Sequence, residues 1–351
     1  MGMRKGMASE AYKAQNEKGD MACRELQEGI VLKVLSGTYI VQAEADKSSD
    51  PPRYTCILRG TLRKQLTYTE SAALPRRVVK AKRPPQTDVV AVGDRVLFSI
   101  LPNHTGVIEE VLPRRTRFAR AAFRGKEQTL VTNLDQLVVV FACAEPNPDP
   151  WRIDRWLVAA EAFGLEAVLV ANKRDLVDEA QFQNSFGEFA ALGYKVLPTS
   201  ALKETGIEPL RQVLRGRISA FTGPSGVGKS SLLNVLQPGL HLKVGAVGDV
   251  THRGRHTTTV RELFPLEGGG WVADTPGLRQ LELPALSRQE LAECFVDFRP
   301  FLATPCRFRD CRHETEPGCS LKMAVEQGQL SARRYRSFLE IAHEIEQDRT
   351  K

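Results

Sequence analysis

The chain has 351 residues, 42% of them hydrophobic, and a formal net charge of +7. That length exceeds one ordinary core, so we expect two or three domains, and the basic charge suggests a polyanionic partner. The longest apolar run, Leu137–Ala144, is too short to cross a bilayer, and residues 1–20 lack the apolar core of a signal peptide. We therefore expect a cytoplasmic monomer.

The N-terminal third reads as a tail followed by a small β domain. Residues 1–27 show no sustained apolar periodicity and are predicted to be a flexible tail. Residues 28–115 contain short alternating runs separated by turn residues, for example Ile30–Val34 and Arg95–Ser99. This pattern predicts a β-barrel.

The rest of the chain changes character twice. Residues 116–283 alternate apolar strands such as Gln136–Ala142 with amphipathic helices such as Trp151–Phe163, a pattern typical of an α/β fold with a parallel sheet. Residues 284–351 are helical in pattern and are interrupted by a loop rich in cysteine. We expect an α-helical domain there.

The strongest chemical signal is a phosphate-binding loop. The run Gly223-Pro224-Ser225-Gly226-Val227-Gly228-Lys229-Ser230 matches G-x-x-x-x-G-K-[ST], follows an apolar strand and opens a helix at Ser231. Glycines let consecutive backbone N–H groups face a phosphate. Lys229 would reach the β- and γ-phosphate oxygens, and Ser230 would bind Mg²⁺.

Two motifs indicate that the base is guanine. Asn172-Lys173-Arg174-Asp175 follows an apolar strand and reads as N-K-x-D. Asp175 can accept both guanine N1–H and N2–H, Asn172 can address the remaining base edge, and the stem of Lys173 can cover the ring. Thr199-Ser200-Ala201 either completes this pocket or caps a helix. The residues do not separate those two interpretations.

Asp274-Thr275-Pro276-Gly277 resembles the D-x-x-G motif, although the same residues also form a common turn. Asp274 would hold Mg²⁺, and the Gly277 N–H would contact the γ-phosphate. The polar segment before it is suited to a switch loop, in which Thr258 or Thr259 would complete the Mg²⁺ shell.

The order of these motifs is unusual. Ordinary GTPases run from the P-loop through D-x-x-G to N-K-x-D, whereas here Asn172 and Thr199 precede Gly223. Strands need only neighbour one another in the sheet, so a circularly permuted chain can assemble the same pocket. The sequence therefore predicts a circularly permuted P-loop GTPase domain.

From residue 28 onward the sequence resembles the RsgA (YjeQ) family of bacterial circularly permuted GTPases. The resemblance rests on the GTPase motifs, Ile108–Arg115, Ile153–Trp156, Gly254–Thr259 and the cysteine cluster. It implies an N-terminal OB barrel, a permuted GTPase domain, a C-terminal zinc domain and assistance in maturing the small (30S) ribosomal subunit. The tail and residues 44–53 depart from the family pattern.

The chain has Leu278 directly after Asp274–Gly277, at the position where Ras-like GTPases carry the glutamine that orients the attacking water. His256 is the polar candidate for orienting water, and the family resemblance also implicates it. An ordinary solvated loop histidine is the alternative. The predicted catalytic set is His256, Lys229 and Asp274.

Four soft ligands lie close together near the C-terminus. Cys306, Cys311, His313 and Cys319 offer three thiolates and one imidazole within a loop that contains turn residues. This set suits tetrahedral zinc and leaves no open position, so the zinc site should be structural.

The positive charge is concentrated in and after the barrel. Between Arg53 and Lys126 there are 16 Lys or Arg against five Asp or Glu. We predict an RNA-binding surface there. We expect three aromatic residues to stack with bases: Phe98, Phe118 and Phe123. Three basic residues of the last helix are predicted to add a second contact with ribosomal RNA: Arg333, Arg334 and Arg336.

Three function classes compete. The first is a GTPase that binds the small subunit and is released by hydrolysis of GTP to GDP and phosphate. The second is a translation- or tRNA-associated GTPase that uses the barrel for another RNA. The third is an RNA-binding module with a vestigial nucleotide site. Intact motif residues disfavour the third, and the permuted order joined to a barrel and a zinc cluster disfavours the second.

Overall fold

The computed structural model describes residues 26–35, 37–44, 51–63, 65–68, 78–82, 89–122, 126–238, 262–274, 283–284 and 286–349. They fall into two compact units, residues 26–90 with 94–113 and residues 91–93 with 114–349. The second unit contains both the α/β part and the C-terminal helices, so a separate zinc domain beginning at residue 284 stays a prediction.

The first unit is a five-stranded barrel with an added hairpin. Its strands are β1 (Leu26–Val34), β2 (Tyr39–Ala43), β3 (Arg53–Leu58), β4 (Gln65–Tyr68), β5 (Val78–Lys82), β6 (Arg95–Leu101) and β7 (Thr105–Val111). The barrel runs β1-β2-β3-β7-β6 and closes by pairing β6 with β1, while β4 pairs with β5. Among the described strands of this unit, β3 and β7 are the one parallel pair, and the five-stranded barrel confirms the predicted OB-type fold.

Alternating side chains fill the barrel. Val31, Val41, Cys56 and Ile108 are buried and belong to one apolar cluster. Phe98 lies in the same cluster with 0% of its surface exposed. Its assignment to base stacking is therefore wrong, because a fully buried ring presents no face to a nucleobase.

The second unit is built on a mostly parallel sheet. Its strands are β8 (Arg117–Ala122), β9 (Lys126–Thr132), β10 (Gln136–Ala142), β11 (Glu166–Asn172), β12 (Lys195–Pro198), β13 (Ile218–Thr222), β14 (Glu262–Pro265) and β15 (Trp271–Asp274). In the described part of this unit the sheet order is β12-β11-β10-β13-β15-β14, with β14 antiparallel to β15 and the other pairs parallel. Strands β8 and β9 form a separate hairpin.

The sheet is covered by helices that follow its strands. These are α1 (Pro150–Ala162), α2 (Glu179–Ala191), α3 (Ile207–Leu214) and α4 (Lys229–Leu236). All seven residues of β10 are buried, as expected for a central parallel strand with both faces covered. Local chemistry sets the helix starts: the Asp149 carboxylate caps α1, and Asp178 with Gln181 forms a capping box on α2.

Four helices follow the sheet: α5 (Arg288–Glu293), α6 (Arg299–Leu302), α7 (Ser320–Glu326) and α8 (Ala332–Arg349). Phe295, Phe298 and Phe338 are fully buried and share an apolar cluster with Val158 of α1. These helices are thus packed onto the α/β part. Within the described residues, no helix is both long and apolar enough to cross a membrane.

Candidate nucleotide and zinc sites

The predicted nucleotide-binding motifs meet at one edge of the sheet. Strands β10, β11, β12, β13 and β15 are parallel, so their carboxyl ends lie together. Strand β11 ends at Asn172, β12 leads to Thr199, β13 leads to Gly223, and β15 ends at Asp274. The sheet places the P-loop strand between β10 and β15. Motifs separated along the chain are thereby collected at one edge.

Two glycines make the P-loop geometry possible. Gly223 has φ of 127°, and a β-carbon there would lie 2.1 Å from the Val140 carbonyl oxygen. Gly228 has φ of 94°, and a β-carbon would lie 2.3 Å from the Asn172 amide nitrogen. Neither position can accept a side chain without moving its neighbours.

The loop ends in the first turn of α4. Lys229 Nζ donates to the Gly223 carbonyl at 2.8 Å and also to that of Pro224. Ser230 and Ser231 are half-buried beside it, where backbone N–H groups have no acceptor within the helix. Such N–H groups together with a lysine suit a phosphate.

Asn172 joins the P-loop to the predicted base-recognition segments. Its amide nitrogen donates to the Val227 carbonyl at 2.8 Å. Its amide oxygen accepts from Ala201 N and from Thr199 Oγ1, each at 3.2 Å. Asn172 is 1% exposed. The side chain therefore acts within the protein, which differs from the interpretation that it addresses a base edge.

The other three residues of the motif point in different directions. Lys173 takes a left-handed conformation, and its Nζ donates to the Glu145 carbonyl. Arg174 turns to α2, where it pairs with Glu179 at 2.7 Å, so its side chain is not placed for nucleotide contact. Asp175 is exposed and free to accept hydrogen bonds from a ligand.

The Thr199–Ala201 segment forms a tight turn next to Asn172. Ser200 pairs with Thr205 through both backbone hydrogen bonds, and Ser200 Oγ accepts from Lys203 N at 3.1 Å. Helix α3 begins only at Ile207. The segment therefore does not cap a helix, and its contacts with Asn172 favour the base-pocket interpretation.

Four of the predicted catalytic, Mg²⁺-binding and nucleotide-binding residues lie outside the described residues. His256, Thr258, Thr259 and Gly277 fall there. For Asp274 the structure gives the backbone at the end of β15, paired opposite Glu262. Their assigned roles stay predictions.

The four predicted zinc ligands converge. The ligand atoms of Cys306, Cys311, His313 and Cys319 all lie within 4.8 Å of one another. His313 Nδ1 is 3.3 Å from Cys319 Sγ and 3.6 Å from Cys306 Sγ. Tetrahedral zinc with ordinary bond lengths requires about 3.5 Å between a ligand nitrogen and a ligand sulfur. The donor set fits zinc in both chemistry and spacing.

Two cysteine side chains of this cluster are buried and therefore need a cation to become thiolates. Cys311, His313 and Cys319 are each at most 5% exposed. Burial raises the pKa of the Cys311 thiol to about 12 and also raises the pKa of Cys319. A divalent cation would favour their thiolate forms.

Groups outside the predicted ligand set hold the zinc loop in place. Tyr335 Oη donates to the His313 carbonyl at 2.6 Å, and Gln289 donates to the Cys311 carbonyl. Arg288 is 7% exposed and pairs with Glu314 and Glu346. These contacts could not be predicted from the sequence, because each joins segments that are distant along the chain.

Two of the arginines assigned to RNA are engaged inside the protein. Arg334 is 1% exposed and pairs with Asp154 and Asp297, so its assignment is wrong. Arg333 pairs with Asp154 and Glu188, and its assignment is also wrong. Arg336 is exposed. Ion pairing explains the difference, because buried guanidinium groups require carboxylate partners.

The remaining aromatic assignments also change. Phe118 is 5% exposed and packs on Phe163 with ring centroids 4.5 Å apart, so it is a core residue and not a stacking platform. Phe123 and residues 69–77 and 83–88 lie outside the described residues. In the described part of the barrel, Arg59 and Arg95 are paired with glutamates.

Together these features define the class of protein. The P-loop follows β13, which lies between β10 and β15, and β15 ends in an aspartate. The guanine-type motifs precede the P-loop in the chain. This arrangement is that of a circularly permuted GTPase. Comparison with known proteins gives the family. Residues 111–284 match the RsgA GTPase family.

Relatives match over most of the chain. The small ribosomal subunit biogenesis GTPase RsgA of Gemmatimonas aurantiaca is 46% identical, with 73% of this chain and 84% of that protein covered. The protein of the same name from Moorella thermoacetica is 40% identical, with 91% and 97% covered. This chain belongs to the RsgA GTPase family, and the resemblance inferred from its sequence is confirmed.

Two solved structures have a fold similar to that of this chain. YjeQ from Thermotoga maritima has a TM-score of 0.71 and 34% identity, with 92% of this chain and 99% of that chain covered. YloQ, described as a circularly permuted GTPase, has a TM-score of 0.69 and 29% identity, with 93% and 98% covered. The predicted permuted fold is thereby confirmed.

Proposed function

We propose that this protein is a GTP phosphohydrolase that binds the small ribosomal subunit during its late maturation and is released when GTP is hydrolysed. The observation that carries the proposal is the meeting of the P-loop, Asn172–Asp175, Thr199–Ala201 and the end of β15 at one sheet edge. Relatives named as small ribosomal subunit biogenesis GTPases support the choice of partner. The proposal implies the cytoplasm as the place of action.

Phosphate binding is assigned to the loop from Gly223 to Ser231. Its N–H groups and the start of α4 would face the phosphates, and Lys229 would exchange its present carbonyl acceptors for β- and γ-phosphate oxygens. Mg²⁺ would neutralise charge on the phosphates. Ser230, Asp274 and either Thr258 or Thr259 are the residues assigned to hold it.

Guanine selection is assigned to Asp175. Its exposed carboxylate can accept from N1–H and N2–H of guanine, whereas adenine would leave it unpaired. Asn172 supports this selection indirectly, because it joins the Thr199–Ala201 segment to the P-loop through Ala201 and Val227. Lys173, held against the Glu145 carbonyl, supplies an aliphatic stem beside the base.

Water attack is assigned to His256, because Leu278 cannot orient a nucleophile. The zinc cluster is assigned a structural role, since all four ligands come from the protein. The barrel and the basic run after it are assigned to ribosomal RNA because of their excess of Lys and Arg.

The proposal is tested by GTP hydrolysis with and without purified small subunits. We expect subunits to stimulate turnover, and we expect binding to weaken as salt rises. Lys229→Ala should abolish stimulated turnover. Absence of stimulation together with absence of salt-sensitive subunit binding would contradict the proposed partner.

The role of His256 needs its own series. His256→Ala should remove most of the subunit-stimulated turnover while GDP binding remains. Stimulated turnover equal to that of the unaltered protein would eliminate His256 from the mechanism.

A further inference from the structure

Helix α2 begins four residues after Asn172–Asp175, the segment here called the base-recognition turn. Arg174 of that turn pairs with Glu179 of α2 through Nη2 and Oε2 at 2.7 Å. Its guanidinium carbon lies 5.0 Å from the centroid of the Phe182 ring. The turn is therefore attached to α2 by both an ion pair and a stacking contact.

The other end of α2 is attached to the C-terminal helices in the same manner. Arg333 of α8 donates from Nε to Glu188 Oε2 at 2.8 Å. Its guanidinium carbon lies 5.5 Å from the centroid of the Phe189 ring. Each end of α2 thus receives an arginine that pairs with a glutamate and lies over a phenylalanine.

The helix between these contacts packs through its phenylalanines. Phe182 and Phe186 stack with centroids 5.6 Å apart. Phe186 and Phe189 are 0% and 1% exposed. A regular 13-residue helix spans about 20 Å, so the two arginine contacts lie near opposite ends of one continuous, anchored helix.

Arg333 itself is held from the opposite side. Asp154 of α1 accepts from Arg333 at 2.6 Å and from Arg334 at 2.5 Å. Asp154 is fully buried, and Arg334 also pairs with Asp297. The Arg334 pairs fix α8 to α1, and Arg333 extends from that fixed point to α2.

We infer that the Arg333–Glu188 contact makes α2 a positioning element, through which the C-terminal helices control how tightly the base-recognition turn holds a guanine nucleotide. The inference rests on the proposed guanine site and deepens it. It does not depend on the ribosomal partner. By linkage, a partner that shifts α8 would also change nucleotide affinity.

The first test measures GDP dissociation from the full-length, zinc-loaded protein without ribosomes, using a fluorescent GDP. Arg333→Ala and Glu188→Gln should each speed dissociation by about two- to tenfold. Arg336→Ala is the matched control, because Arg336 is exposed on the same helix and should leave the rate unchanged. Zinc content and circular dichroism establish that each variant is folded.

A purely structural contact would give a different result. In that case both variants would lower the thermal midpoint and leave the GDP dissociation rate unchanged, and this outcome would overturn the inference. If Arg333→Ala fails to fold, Glu188→Gln decides alone, because it keeps the side-chain size and leaves Asp154 paired with both Arg333 and Arg334.

A double-mutant cycle tests whether α2 is the connection. Arg174→Ala detaches the turn from α2, so adding Glu188→Gln to it should change the dissociation rate little further. If the two substitutions raise the GDP dissociation rate by factors that multiply in the double variant, transmission through α2 is contradicted. If GDP and ADP bind equally well, the proposed guanine site fails; if only the rates are insensitive, this inference alone fails.

Discussion

The nucleotide edge and the zinc loop differ in how the chain builds them: the first collects the ends of several strands, whereas the second lies within residues 306–319. At the nucleotide edge, Lys229 and Lys173 end on backbone carbonyls, and Asp175 is exposed. In the zinc loop, thiols and an imidazole face one another, and Arg288 and Tyr335 hold the surrounding backbone. The first arrangement suits a ligand that comes and goes, and the second suits a permanent one.

The difference lies in where each site keeps its polar groups. Among the described residues of the nucleotide edge, the buried polar side chains of Asn172, Thr199 and Ser200 are neutral, while Lys229 ends on replaceable carbonyl acceptors and Asp175 is exposed. The zinc loop buries groups that need a cation to be stable as thiolates. Substitution of a zinc-binding residue should therefore destabilise the fold. Substitution of an exposed residue that contacts the nucleotide should mainly change which nucleotide the protein prefers.

The largest effect is expected from breaking the zinc loop. Cys311→Ser should reduce zinc content from one ion per chain to none and lower the thermal midpoint of the C-terminal helices, because structural zinc sites supply about 10 kcal/mol in small domains. Zinc analysis and calorimetry measure this. Cys294→Ala, a buried cysteine outside the cluster, should retain the zinc. Full zinc content in Cys311→Ser would refute the assigned ligand set.

A second large effect should appear at the base. Asp175→Asn should weaken GDP binding by roughly a hundredfold or more and favour xanthosine diphosphate, because the new amide can donate to the xanthine oxygen. Thermal stability should hardly change, in contrast with the zinc variant. Competition binding measures the preference, and Glu204→Gln in the neighbouring loop is the control. An unaltered guanine preference would mean that Asp175 does not read the base.

Asn172 should behave as a part of the fold as well as of the site. Asn172→Ala leaves the Val227 carbonyl and the Ala201 N–H without their present partner. We expect the free energy of unfolding to fall by about 2–4 kcal/mol. Denaturant titration measures it, with Leu202→Ala, 81% exposed, as a control that should be neutral. A neutral Asn172→Ala would show that the amide does not join these segments.

The smallest effect concerns the outer support of the zinc loop. Hydrogen bonding to Arg288 holds the pKa of Glu346 below its usual value, with help from the charge of Arg312. A lowered carboxyl pKa stabilises the fold above the usual glutamate pKa, and that stabilisation is lost as pH falls through the lowered value. Glu346→Gln should cost about 0.5–1 kcal/mol at neutral pH.

The pH dependence of that difference is the measurement. The gap in unfolding free energy between Glu346→Gln and the unaltered protein should be constant near pH 7 and shrink once the pH drops below the usual glutamate range. Glu340→Gln, exposed on the same helix, should show no gap. A gap that grows on acidification would contradict the assigned ion pair.

Motifs that depend on neighbouring residues could be predicted from the sequence. The P-loop needs glycines, a strand before it and a helix after it within a short span, and all are visible in the residues around Gly223. The zinc ligands also lie within one short loop. The permuted order follows directly from where Asn172 and Gly223 stand in the chain.

Features that depend on distant partners could not be predicted. Arg333 and Arg334 looked like a basic surface, but their partner Asp154 lies on α1, far back in the chain. Phe98 fitted either a stacking platform or a core residue until the barrel closed around it. The motif predicts that Asn172 addresses a base edge, and its contact with the Val227 carbonyl is formed only when the P-loop folds against it.

The most direct test of the central claim is equilibrium titration of the unaltered protein with GDP and with ADP in the presence of Mg²⁺. The assembled sheet edge predicts one GDP per chain and at least a thousandfold preference, roughly, for GDP over ADP, because adenine leaves Asp175 unpaired. Equal affinity for the two nucleotides, or no binding of either, would contradict the account.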